Sequence, residues 1–148
     1  MSKYKVASNS AFWIIDAAST LRNMSAYIDT ISNPPGKEYA SLDVTSFNDA
    51  AMRFIAGIEQ GGEFTVSGHF DDAALSGPNA VFGVLPGTAT TFAFYPASTA
   101  TGNRRFSGTA LCLSYRTPVS VAERVNYEAR FVVDGTVTVG TSNGTGTA

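Results

Sequence analysis

The chain is poor in the groups that do chemistry: its 148 residues include one cysteine, one histidine and one tryptophan, and only 15% are charged. Cys112 stands alone in Leu111-Cys112-Leu113, a place for a small buried apolar residue, so no disulfide framework or cysteine-based metal site can form within one chain. His69 has no second histidine, cysteine or carboxylate at ligand spacing, which leaves it a surface or interface role and no metal. Ten Lys and Arg against twelve Asp and Glu give a net charge of -2 with no basic run, which argues against a protein that grips nucleic acid by neutralising phosphates. Long hydrophobic runs are missing too. Lys3 and Lys5 precede polar Ser8-Asn9-Ser10 and a short apolar run ending at Ile15, which makes neither a signal peptide nor a membrane span. The product is expected to stay in the cytoplasm, without membrane insertion, unless something carries it out.

Catalytic signatures are equally scarce. Gly61-Gly62 leads into a strand rather than a helix and no GK[ST] follows, so there is no phosphate loop, and no serine lies in a G-x-S-x-G elbow. Asp71-Asp72 lacks the alternating oxygen ligands of a calcium loop. Glu59 and Glu63, flanking the Gly-Gly turn, read as solvent-facing rather than as a glycosidase pair. Neither an enzyme nor a cofactor is expected.

What the chain does contain is β-patterning and turn chemistry. At 44% hydrophobic it can build one core, so residues 1–148 are expected to form a single domain, with residues 1–10 a polar arm and residues 140–148 a flexible tail of Gly, Thr, Ser, Asn and Ala. Strands are expected at residues 12–15, 21–31, 90–95, 106–115 and 125–133, the last alternating cleanly through Val125, Tyr127, Ala129, Phe131 and Val133. In 106–115, Leu111, Leu113 and Tyr115 fall on one face and Ala110, Cys112 and Ser114 on the other. Asn33-Pro34-Pro35-Gly36 stops a strand and projects as a loop. Val81, Val84 and Leu85 have the i, i+3, i+4 spacing of a short helix, entered at Gly77-Pro78 and ended by Pro86-Gly87. Asp134-Gly135 is a two-residue hairpin signal with residues 136–139 returning. Seven to nine short strands and one helix predict a mainly β fold, a sandwich or partial barrel with one flanking helix.

Residues 42–70 organise the rest. A strand-like run, Leu42-Asp43-Val44-Thr45, leads through a polar turn to the apolar segment Arg53-Phe54-Ile55-Ala56-Gly57-Ile58. That segment reads as loop-like yet too hydrophobic to leave in water, so burial against another subunit is expected. After Gly62 the pattern alternates, Phe64, Val66 and Phe70 on one side and Glu63, Thr65, Ser67 and His69 on the other.

The same order of features resembles the tail tube (major tail) proteins of long-tailed bacteriophages. Leu21-Arg22-Asn23-Met24-Ser25-Ala26-Tyr27-Ile28 resembles that family's early strand, and Leu42-Asp43-Val44-Thr45-Ser46-Phe47 its "DVTTF" segment. Residues 53–58, then Gly62 and Phe64-Thr65-Val66-Ser67-Gly68, continue the match. Gly77-Pro78-Asn79-Ala80-Val81, Thr91-Phe92-Ala93-Phe94-Tyr95-Pro96 and the last two strands agree more loosely.

The resemblance implies a subunit whose inner sheet completes a multi-subunit barrel, assembling in host cytoplasm into stacked hexameric rings of a virion tail that conduct DNA without binding it tightly. Its implied partners are further copies of itself, a tape measure protein, a tail terminator and a distal tail protein; the family has no catalytic residues to carry over. Glu63, Thr65, Ser67 and His69 are then expected to face the lumen. Pro34, Pro35, Phe47, Arg53, Phe54, Ile55 and Ile58 are expected to touch neighbouring subunits. The alternative is a small β-sandwich module recognising carbohydrate, with Trp13 and tyrosines as a stacking platform, although Trp13 sits in an apolar run that suits a core.

Overall fold

The computed structural model describes residues 10–144. Of the expected amino-terminal arm only Ser10 falls within this range, and residues 145–148 of the expected tail lie outside it. The described residues form nine strands: β1 (Ala11–Ile15), β2 (Leu21–Asn23), β3 (Thr30–Ser32), β4 (Glu38–Asp43), β5 (Phe54–Gln60), β6 (Glu63–His69), β7 (Ala89–Tyr95), β8 (Arg104–Arg116) and β9 (Asn126–Thr141). One short helix, α1 (Pro78–Phe82), and a 3-10 turn at Ser25–Tyr27 complete the set.

Seven strands make one antiparallel sheet in the order β2-β1-β7-β8-β9-β6-β3, while β4 and β5 pair only with each other. The sheet curls on itself. Phe12 of β1 and Phe64 of β6 lie far apart in strand order, yet their rings meet edge-on with centroids 6.1 Å apart. Phe92 and Phe131 extend the aromatic stack, at 5.2 Å from Phe64 in each case. Phe82 and Leu85, from α1 and the turn after it, are fully buried with Val81, and Phe82 packs on Tyr127 and Phe131. Fully burying each such ring contributes roughly 1.5–3 kcal/mol, so the curl is driven by one aromatic interior plugged at its side by the helix.

The two edge strands do not pair with each other, and the 24–29 segment bridges the gap between them. The Met24 N–H donates to the Phe12 carbonyl (2.9 Å), the Asp29 N–H to the Ser67 carbonyl (3.0 Å) and the Tyr127 hydroxyl to the Tyr27 carbonyl (2.7 Å). Gly68 makes this approach possible, because a Cβ there would stand 2.0 Å from the Tyr27 carbonyl oxygen. The expected sandwich or partial barrel is thus a partial barrel with one flanking helix.

Several expected elements take a different form. The single strand at 21–31 is instead β2, the 3-10 turn and β3, because the chain must cross the barrel's open side rather than run along a partner. Alternation fails in β8, where a register shift between Cys112 and Ser114 makes Leu113 an unmatched residue. Cys112 and Tyr115 therefore both serve the core, while Leu113 is 37% exposed. Asp134-Gly135 does not close a hairpin: β9 runs unbroken for 16 residues, and the register shifts opposite the step from Ser107 to Thr109, with Gly135 at φ 85. A left-handed glycine serves a bulge as well as a turn, and the 13-residue β8 is long enough to pair with both halves of β9. Val84 is exposed, so the buried face of the helical region comes from Val81, Phe82 and Leu85.

The end of the described chain is fastened rather than frayed. Gly140 and Thr141 lie in β9, and Ser142 is buried, donating its hydroxyl to the Thr99 carbonyl (2.5 Å) and its N–H to the Asn103 carbonyl (2.7 Å).

Candidate assembly surface

The residues expected to line a channel form one face of β6. Glu63 and His69 are exposed and Thr65 and Ser67 half-buried, whereas Phe64, Val66 and Gly68 between them are buried. Directly opposed residues of antiparallel strands share a face, so the register enlarges the row into a surface. Thr65 lies between Ser32 and Arg130, Ser67 between Thr30 and Glu128, and His69 opposite Asn126. Beyond β9, Arg130 meets Ser114 and Glu128 meets Arg116. The face therefore carries the carboxylates Glu63, Glu128 and Asp134 against the guanidiniums of Arg116 and Arg130, hydroxyls between them, and Val132 and Leu111 as its large apolar members.

His69 has partners that its sequence neighbours do not announce. The Arg124 guanidinium lies 2.7 and 2.6 Å from its two ring nitrogens and is also paired with the Asp29 carboxylate. Three separate loops and strands meet there because the Phe70 N–H donates to the Val125 carbonyl (3.0 Å) and the Asp29 N–H to Ser67. Among the described residues no group of three His, Cys, Asp or Glu is placed to hold a metal ion.

The residues expected to touch neighbours gather on the β4–β5 ribbon. The 53–58 segment is strand, not loop: from Phe54 onward it belongs to β5, paired with β4 through Leu42↔Ile55 and Asp43↔Phe54. Leu42 and Ile55 share one face, Tyr39 and Phe54 share the other, and Ile58 lies at the bulge where β5 carries an extra residue opposite Ala40. All five are at least half-exposed, Ile58 at 82%, and the tip residue Phe47 is completely exposed. A two-stranded ribbon with apolar side chains on both faces has no core of its own.

Its tip is nonetheless built. The Asp49 carboxylate accepts from the Ser46 N–H (2.7 Å) and faces Arg53 at 3.5 Å, and the Asp43 carboxylate accepts from the Thr45 N–H (2.9 Å). Hydrogen bonds from Thr45 hold the Asp43 carboxyl below its ordinary range, and the Ser46 N–H does the same for Asp49. Arg53 itself lies just outside β5, its N–H bonded to Thr45 Oγ1 (2.8 Å). At the ribbon's base a Gly61 Cβ would stand 2.3 Å from Val133, and Gly62 turns the chain into β6 at φ 75.

Two residues stand elsewhere than expected. Pro34 is exposed at the rim of a cavity of about 310 Å³, shared with Phe12, Ile28, Ile31 and Phe94, but Pro35 is buried within its own chain. Glu59 is not solvent-facing: its side chain is only 16% exposed, on the Tyr39 face of the ribbon, with Lys37 at 4.0 Å. Sequence reading also missed the exposed apolar side chains of Val119, Val121 and Val125 in one loop and of Leu75 in another. These residues lie in two irregular loops, so no periodicity marks them.

The sequence matches no protein-family model and no curated protein. Solved structures do share the fold. The chain superposes on a subunit from the tail of an empty gene transfer agent particle with C6 symmetry at a TM-score of 0.69, with 14% identity, 91% of this chain and 98% of that chain covered. For the SPP1 tail tube the values are 0.70, 11%, 93% and 79%. For the sheath/tube terminator of an extracellular contractile injection system they are 0.67, 9%, 95% and 99%. At these identities the likeness establishes the fold.

Proposed function

We propose that this chain is a non-catalytic structural subunit of a phage-type tail tube, joining copies of itself into hexameric rings that stack into a conduit for DNA. The ribbon carries this reading. A hairpin with Leu42 and Ile55 exposed on one face, Tyr39 and Phe54 on the other, and Ile58 at its bulge is costly in water and is stabilised when a second protein surface covers it. Solved structures of this fold come from a C6-symmetric tail and a tail tube, which supports further copies of the same chain as the cover.

In this assembly the β3-β6-β9 face, with the end of β8, forms the channel wall, and Glu63, Thr65, Ser67 and His69 point into the lumen. The edge strand β3 offers unpaired backbone groups that a neighbouring sheet can satisfy, closing one barrel from several subunits. A wall on which carboxylates are at least as numerous as guanidiniums has no excess positive charge with which to hold DNA by counterion release. Pro34, Phe47, Arg53, Phe54, Ile55 and Ile58 supply contacts between subunits. A tape measure protein within the lumen, a terminator at one end and a distal tail protein at the other complete the tail of a virion assembled in host cytoplasm. Nothing favours the carbohydrate reading, since Trp13 is half-buried against Ala11, Ala93 and Tyr95 instead of presented as a platform. Electron microscopy of the purified protein at rising concentration tests the proposal: rings and tubes are expected, and a monomer that persists at every concentration would refute it.

A further inference from the structure

The exposed apolar ribbon is matched by exposed apolar side chains at the other end of β6. The ribbon enters β6 at Glu63, whereas the 71–77 loop leaves it after His69 and the 117–125 loop sits beside that exit through the bond from the Phe70 N–H to the Val125 carbonyl. Seven residues of strand separate the two ends by roughly 20 Å. At the exit end Val121 is 97% exposed, Val119 74% and Leu75 73%.

These side chains are held out, not left loose. The 117–125 loop is closed by bonds from the Asn126 N–H to the Pro118 carbonyl and from the Glu123 N–H to the Ser120 carbonyl, and Arg124 ties it to Asp29 and His69. Ala122 and Leu75 adopt φ of 73 and 69, a region that residues with a Cβ rarely enter, so both loops turn sharply at these positions.

A heterologous contact between two different surfaces repeats as an open-ended stack wherever its rotation does not close into a ring. We infer that the 117–125 loop, at the exit end of β6, is the acceptor on which the β4–β5 ribbon of a copy in the adjacent ring lands. This rests on the tube reading. If β6 lines the lumen, its ends face opposite ends of the ring, so the ribbon end of one ring meets the loop end of the next.

The test uses Val121→Asp in the full chain, imaged beside the wild type, with thermal melting as a control on folding at this exposed position. The variant is expected to melt like the wild type and form single rings, losing all stacking beyond one ring. Mixing its preformed rings with rings of Ile58→Asp, whose acceptor is intact, is expected to give stacks of two rings and no longer. Wild-type tubes together with equally long Val121→Asp tubes would overturn the acceptor assignment and leave the tube reading standing. A wild type that forms neither rings nor tubes would overturn both.

Discussion

Gly68 shows how a single residue sets the barrel's closure. Its Cβ position is occupied by the Tyr27 carbonyl, the same oxygen that accepts from the buried Tyr127 hydroxyl. Gly68→Ala must push the 24–29 segment away and is expected to destabilise the fold by about 1–3 kcal/mol, measurable by chemical denaturation; an unchanged midpoint would show that the bridge is dispensable. Asp16 fixes the turn between β1 and β2 in another way. Burial by itself would raise its pKa, but the Arg22 guanidinium and the Thr20 and Ala18 N–H groups hold the carboxyl below its ordinary value. A depressed folded-state pKa contributes stability above the unfolded value and loses it as pH falls through the folded one. Stability should therefore decline on acidification below the ordinary carboxylate range, and Asp16→Asn should be less stable at neutral pH and flatter in this window. Equal acid slopes in the two proteins would contradict the assignment. Neither effect is legible in the sequence, where Gly68 is one of 14 glycines and Asp16 one charge near a turn: both depend on what the fold brings alongside.

Among the elements, the strands whose two faces differ were the easiest to read. β6 and the first half of β9 alternate because one face meets the aromatic core and the other is polar, and the expected row of Glu63, Thr65, Ser67 and His69 lies together as anticipated. Where a strand bulges, as at Leu113 and Gly135, composition gives no warning, since the shift is a property of the pair of strands and not of either one. The β4–β5 ribbon was legible only as a paradox, a hydrophobic stretch with no place in the core. Its structure resolves the paradox by leaving it outside. Replacing Phe54 and Ile58 by Asp removes two exposed apolar side chains from the ribbon, so the monomer's stability should change by no more than about 0.5 kcal/mol per site while tube growth stops. A large loss of thermal stability would mean that the ribbon supports its own barrel and is not kept for a neighbour.

Across the whole molecule, a partial barrel bridged at its open side by the 24–29 segment carries two kinds of surface outside its core. One is the largely polar face of β3, β6 and β9 with the end of β8, and the other is the exposed apolar side chains of ribbon and loop. The first was anticipated from alternation in β6, but its extent needed the register to bring in Arg130, Glu128 and Arg116. The loop half of the second was not anticipated, because Val119 and Val121 lie in an irregular loop whose place beside β6 is set by the ties of Arg124 and Val125. The claim on which the account turns is that the polar face is a channel wall. A sixfold-averaged reconstruction of tubes grown from the purified protein measures this directly. Glu63, Thr65, Ser67 and His69 are expected to line the lumen with the ribbon buried between subunits; tubes in which that row lies on the outer surface would contradict the account.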